Sequence, residues 1–172
     1  MAEGEESVKD CIEAAVDRIN ELKEGNRRII LKEEQLLAVK DLLNEKDVLA
    51  ILPTGFGKSM IFTVFNFARS ELLNRAGKND TTSVLVISPL KSLIEDQILE
   101  LRSMSCTAEE LNSGNIYEIA VTPPQFIYCT AEEALGKKFL VVLKDNNTKL
   151  HQSLSAVVVD ESHTVETWTG KR

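Results

Sequence analysis

Apolar residues fall along this chain in two rhythms, and one gives way to the other near residue 47. Between positions 8 and 22 they stand at Val8, Ile12, Ala15, Val16, Ile19 and Leu22, steps of three and four that line one face of a helix. Gly25 and Asn26 predict where it stops, and the polar, acidic residues 1–6 are expected to be loose. A second helix is predicted over residues 32–44, with Leu36, Val39, Leu42 and Leu43 turned inward. Its first turn carries Glu33 and Glu34, the sign favoured at the positive end of a helix.

After that the apolar positions become continuous short runs separated by helical stretches. Residues 48–52, 84–87, 126–129 and 156–159 read as buried strands, and 59–73 and 91–102 as helices. Segments 76–82 and 144–149 are polar and read as surface turns. Unbroken apolar strands alternating with helices are what a mostly parallel sheet covered on both faces requires. The pattern predicts an α/β fold and leaves the strand order open.

Composition narrows this only a little. The chain has 172 residues, 43% of them hydrophobic, enough for one ordinary domain with a real core. No run approaches the roughly 18 apolar residues of a membrane span, and no basic-then-apolar leader opens the chain. An intracellular protein without a membrane role is expected. A net charge of −7 argues against a general basic coat for nucleic acid, though backbone amides and helix ends can still hold phosphates locally. Cys11, Cys106 and Cys129 are far apart, and neither His151 nor His163 completes a metal-binding spacing. All three cysteines are expected to be reduced thiols.

Two constellations carry chemistry. The first is Pro53-Thr54-Gly55-Phe56-Gly57-Lys58-Ser59, placed between an expected strand and an expected helix. Glycines let such a loop wrap phosphates with its amides, and the following helix adds a favourable dipole. Lys58 then reaches the β- and γ-phosphates, and the Ser59 hydroxyl can sit on Mg²⁺. A strict phosphate motif starts with Gly, where this chain has Leu52. The second constellation, Asp160-Glu161, ends an apolar run and is followed by Ser162 and His163. In a parallel sheet that end is the ligand-binding edge, where Asp160 would hold Mg²⁺ and Glu161 would orient and deprotonate the attacking water. Taken alone, an Asp-Glu pair there also reads as a solvated strand cap. Together the two signals specify a nucleoside triphosphatase.

The same motifs resemble the first motor lobe of superfamily 2 helicases, the RecQ family in particular. The likeness runs from about residue 31 to 168, through the phosphate loop, Ser88-Pro89-Leu90-Lys91-Ser92-Leu93-Ile94-Glu95-Asp96-Gln97, Leu111-Asn112-Ser113, Tyr128-Cys129-Thr130-Ala131-Glu132 and Asp160-Glu161-Ser162-His163. It implies a P-loop, RecA-like three-layer lobe over residues 31–172, truncated at its C-terminus, behind a helical extension over residues 1–30. It further implies ATP and Mg²⁺ as cofactors and, once a second RecA-like lobe completes the site, a 3′–5′ helicase moving on single-stranded or forked DNA. It places Gln35 on the adenine edge, with Lys32 in the position of a usual Arg and Leu31 in that of a usual Phe. By residue type alone, Gln35 reads as a surface helix residue. The family's ring that stacks on adenine has no counterpart here, since no aromatic precedes Phe56. Ser88, Lys91, Ser92 and Thr130 correspond to DNA-facing positions, though the same residues read unaided as polar helix caps. His163 is expected to sense nucleotide or link the Asp-Glu pair to the second lobe, and Trp168 to couple DNA contact to hydrolysis. An RNA-directed ATPase, or a regulatory or scaffold protein without motor activity, is the alternative. The location expected is the nucleus in a eukaryote and the cytoplasm otherwise.

Overall fold

The computed structural model describes residues 2–23, 28–78 and 80–161, with residues 2–5 described in their backbone only. The chain forms two compact units, divided between Thr81 and Thr82.

The first unit is helical among its described residues: α1 (Ala2–Leu22), α2 (Glu33–Leu43) and α3 (Lys58–Arg75). Both α1 and α2 pack against α3. From α1 comes the buried stripe Cys11, Ile12, Ala15 and Ile19, and from α2 come Ala38, Val39 and Leu43. In α3 every residue from Ile61 to Ala68 is buried, polar Thr63 and Asn66 included, so this helix has no exposed face over two turns. Arg75 ends it by donating to Glu71 at 2.8 Å, with Asp10 of α1 at 4.0 Å.

Two expectations fail in this unit. Helix α1 begins at Ala2 rather than near Val8; an acidic opening suits the positive end of a helix, so polarity alone did not mark it as loose. The predicted strand at residues 48–52 is absent, and Leu49 and Ile51 are 79% and 86% exposed. The run is apolar enough for a strand, but a strand needs a ladder partner for its backbone groups, and the described elements of this unit are all helices.

The second unit runs β1 (Ser83–Ile87), α4 (Lys91–Ser103), β2 (Ala108–Glu110), α5 (Ile116–Val121), β3 (Phe126–Cys129), α6 (Ala131–Ala134), α7 (Lys137–Lys144), α8 (Lys149–Ser153) and β4 (Leu154–Val159). Its sheet has the order β2-β3-β1-β4, every pair parallel. Side chains alternate between two buried faces. Leu85, Ile127 and Cys129 join Ile119, Phe139 and Leu150 from α5, α7 and α8 in one core cluster. Val84, Val86, Phe126 and Tyr128 point the other way and are also buried, on the side that α4 covers with Ile94, Ile98 and Leu101. The result is the expected three-layer α/β fold, a parallel sheet flanked by helices, consistent with a RecA-like P-loop lobe.

Among the described residues β4 has a sheet neighbour on one side only, and Val157 and Val159 are 54% and 43% exposed. Cys11, Cys106 and Cys129 are all buried, and none of them forms a disulfide among the described residues.

Candidate functional site

The phosphate-loop residues are shaped by two glycines and held by one glutamine. Gly55 has φ +77° and Gly57 φ +85°, left-handed values that only glycine adopts without strain. A turn closes between them and Pro53, whose carbonyl accepts the Phe56 N–H at 3.2 Å. Gly57 is the residue before α3, and its carbonyl accepts the Met60 N–H at 3.1 Å. Lys58 opens the helix and Ser59 follows, both half-buried.

Gln35, in the first turn of α2, is 4% exposed. Its side-chain oxygen reaches back to accept the Lys32 N–H at 2.9 Å, satisfying one of the orphan amides at the start of that helix. Its amide nitrogen donates to the carbonyls of Phe56 at 3.0 Å and Gly57 at 2.9 Å. A Cβ on Gly57 would stand 3.0 Å from that nitrogen, so the loop lies as close to Gln35 as its backbone permits. The Lys32 ammonium sits 3.6 Å from the centre of the Phe56 ring, a cation–π contact. Lys32, Gln35, Pro53, Thr54, Gly55, Phe56, Gly57, Lys58 and Ser59 therefore belong to one neighbourhood of the first unit. It has a polyphosphate cradle's features: left-handed glycines, a helix N-terminus and a lysine at the first helical position.

In the second unit the candidate residues follow the sheet register. Ile87 is level with Cys129 and with Val159, so Ser88, Thr130 and Asp160 all leave the sheet at the same edge. The ladder continues one step beyond the strands, with Ser88 N–H donating to the Cys129 carbonyl and Asp160 N–H to the Ile87 carbonyl, each at 2.9 Å. Lys91 and Ser92 begin α4 just past this edge and are exposed. Ser88 is 1% exposed, and its hydroxyl has no hydrogen-bond partner among the described residues. Glu161 holds φ +51°, left-handed for a residue with a side chain, and donates its N–H to the Asp160 carboxylate at 2.9 Å.

Thr130 is the N-cap of α6. It accepts the Glu133 N–H at 3.4 Å, and its own N–H and hydroxyl donate to the Glu133 carboxylate at 2.9 and 3.0 Å. This reciprocal box was missed in the sequence, although Thr130-Ala131-Glu132-Glu133 carries its signature. Glu133 also lies 4.0 Å from the Lys91 ammonium, with Glu110 at 3.8 Å, contacts too long and too exposed to contribute much stability. Burial, with help from Glu133, pushes the Cys129 thiol up to about 12. Tyr128 is raised well above a usual phenol by burial, and the charges of Asp160 and Glu100 add to it. His163 and Trp168 lie outside the described residues.

Comparison with known proteins agrees with the motifs. The DEAD/DEAH box helicase family matches residues 32–172. The ATP-dependent DNA helicase RecQ of Synechocystis is 30% identical over 135 residues, 74% of this chain and 25% of that protein. The ATP-dependent DNA helicase Q5 of Rattus norvegicus is 30% identical over 148 residues, 80% of this chain and 14% of that protein. The ATP-dependent helicase wrn-1 of Caenorhabditis elegans is 28% identical over 163 residues, 88% of this chain and 14% of that protein. The chain thus spans a quarter or less of these curated relatives.

Proposed function

Because the chain belongs to the DEAD/DEAH box helicase family and is related to the RecQ ATPases, we propose that it is the ATP-binding motor lobe of a RecQ-like 3′–5′ DNA helicase. A second RecA-like lobe would complete it. The observation that carries this reading is the phosphate loop itself, with left-handed Gly55 and Gly57 leading into the N-terminus of α3 at Lys58.

Bound Mg²⁺–ATP supplies the phosphoanhydride whose hydrolysis drives movement. Lys58 would pair with the β- and γ-phosphate oxygens, the loop amides and the α3 dipole would stabilise their charge, and Ser59 would offer Mg²⁺ its hydroxyl. Asp160 would offer its carboxylate to the metal, and Glu161 would align water and take its proton. Glu161 is suited to a fixed direction because its backbone is turned left-handed and tied to Asp160. Ser88, Lys91, Ser92 and Thr130 are the DNA-facing set, supported by their shared position at one sheet edge. His163 and Trp168 keep the sensing and coupling roles that the resemblance implies.

The test is ATP hydrolysis with and without single-stranded DNA and, separately, single-stranded RNA. DNA stimulation that disappears in Lys58→Ala and Glu161→Gln supports the reading. Equal rates for wild type and Lys58→Ala would remove the enzymatic reading. Stimulation by RNA alone would move the protein to the RNA-directed alternative.

A further inference from the structure

Lys91 and Thr130, two of the proposed DNA-facing residues, are already engaged by acids of this chain. Thr130 gives both of its donors to one oxygen of Glu133, its N–H at 2.9 Å and its hydroxyl at 3.0 Å from Oε2. The Lys91 ammonium stands 4.0 Å from the other oxygen of that carboxylate, Oε1, and 3.8 Å from Oε1 of Glu110. Lys91 opens α4, Glu110 ends β2 and Glu133 lies in α6, so three elements bring these groups together. A capping box needs Glu133 for Thr130 alone. The approach of both half-buried glutamates to Lys91 is additional.

A nucleic-acid phosphate offers acceptors only, so it needs donors and positive charge from the protein. In this arrangement Thr130 has no donor left to give, and Lys91 faces two carboxylates. A phosphate reaching Thr130 has to displace Glu133, and one reaching Lys91 meets the repulsion of both acids. Such distances lie well inside the roughly 10 Å over which ordinary salt screens charge. Contacts that add little to folding therefore still weigh on an incoming anion.

We propose that Glu133 and Glu110 form an acidic restraint, competing with the nucleic-acid backbone for Thr130 and Lys91 and weakening the lobe's grip on DNA. The inference rests on this edge being the one that faces DNA. Both glutamates act through Lys91 and Thr130 and are positioning residues. Their effect falls on release, because the Glu133 carboxylate is at hand to retake Thr130 as a phosphate leaves.

Fluorescence anisotropy of a labelled oligothymidylate titrated with the whole chain tests it. Glu133→Gln keeps the capping box, since Gln also accepts the Thr130 N–H, and removes the charge. It should tighten binding by about fivefold with an unchanged melting midpoint, a gain that damage to the fold does not produce, and Glu110→Gln should tighten it by about twofold. In a Lys91→Ala background Glu110→Gln should bring no gain. Glu118→Gln, on α5 across the sheet from α4, makes the same change in net charge and should leave affinity as it is. A gain from Glu118→Gln equal to that from Glu133→Gln reduces the effect to net charge and overturns the restraint. Should Glu133→Gln lower the melting midpoint, Glu110→Gln, which lies outside the box, decides alone, and no tightening there overturns the proposal. No tightening in a well-folded Glu133→Gln overturns it as well. If Lys91→Ala then binds more weakly than wild type, the edge still holds DNA; if Lys91→Ala is unchanged, the DNA reading of the edge fails too.

Discussion

The two units place functional residues by opposite means. In the first, the loop from Pro53 to Ser59 takes its shape from a handful of directed contacts: two left-handed glycines and two hydrogen bonds donated by one glutamine. In the second, Ser88, Thr130 and Asp160 are aligned by the parallel ladder and the two apolar faces beneath it. Geometry held by few polar contacts changes sharply when one is lost, with little effect on the rest of the unit. Geometry held by a packed sheet resists local change and fails with the core.

Four experiments press on that contrast, beginning with the largest effect. Phe139→Ala, which opens the main core cluster of the second unit, should destabilise by about 3–5 kcal/mol, read as a lowered midpoint of thermal or urea unfolding. Gly57→Ala meets both a forbidden backbone region and the Gln35 nitrogen. It should misplace the loop at a strain of about 1–2 kcal/mol, read as weaker ATP binding with an almost unchanged melting midpoint. The contrast breaks if Gly57→Ala melts as low as Phe139→Ala. Thr130→Ala removes the α6 cap and should lower stability by about 1 kcal/mol in denaturant melts. A much larger loss would mean that the edge, too, depends on single polar contacts.

The smallest effect at neutral pH comes from Cys129. Its folded-state value of about 12 stands above the ordinary 9.0 because burial penalises the thiolate. The folded form therefore holds its proton more tightly than the unfolded form. This contribution is intact below pH 9 and is lost as pH rises from about 9 toward about 12. Cys129→Ala should flatten that alkaline fall in stability, measured by urea melts across the window, and leave the value at pH 7 within about 1 kcal/mol after its small volume loss is counted.

How much of this could be read in the sequence depends on whether the cause is local. The phosphate loop was legible because glycine spacing, a lysine and a serine state their backbone needs directly. The strands at 84–87, 126–129 and 156–159 were legible because each is apolar and each finds a partner. Residues 48–52 carry the same signal without such a partner among the described elements, and an apolar run does not say whether one exists. Strand β2, Ala108–Glu110, was missed for the converse reason. Ala-Glu-Glu has little preference for strand and becomes one through its ladder with Phe126, Ile127 and Tyr128. Helices α5 to α8 have between four and eight residues, too few turns for a helical period to declare itself. For the candidate site the residue types were legible, whereas Gln35's hold on two loop carbonyls was not, since those contacts span more than twenty positions.

The side of β4 left without a sheet neighbour among the described residues bears on how the protein behaves in the tube. A strand with one unfilled edge and two outward valines is a template on which another copy can dock, backbone to backbone. The net charge of −7 keeps molecules apart at a distance but does nothing to cap the peptide groups along that edge. Colloidal behaviour should accordingly be governed by concentration and by residues 155–159 more than by overall charge. A single lysine at Val157 is the natural gatekeeper for material meant to stay monodisperse.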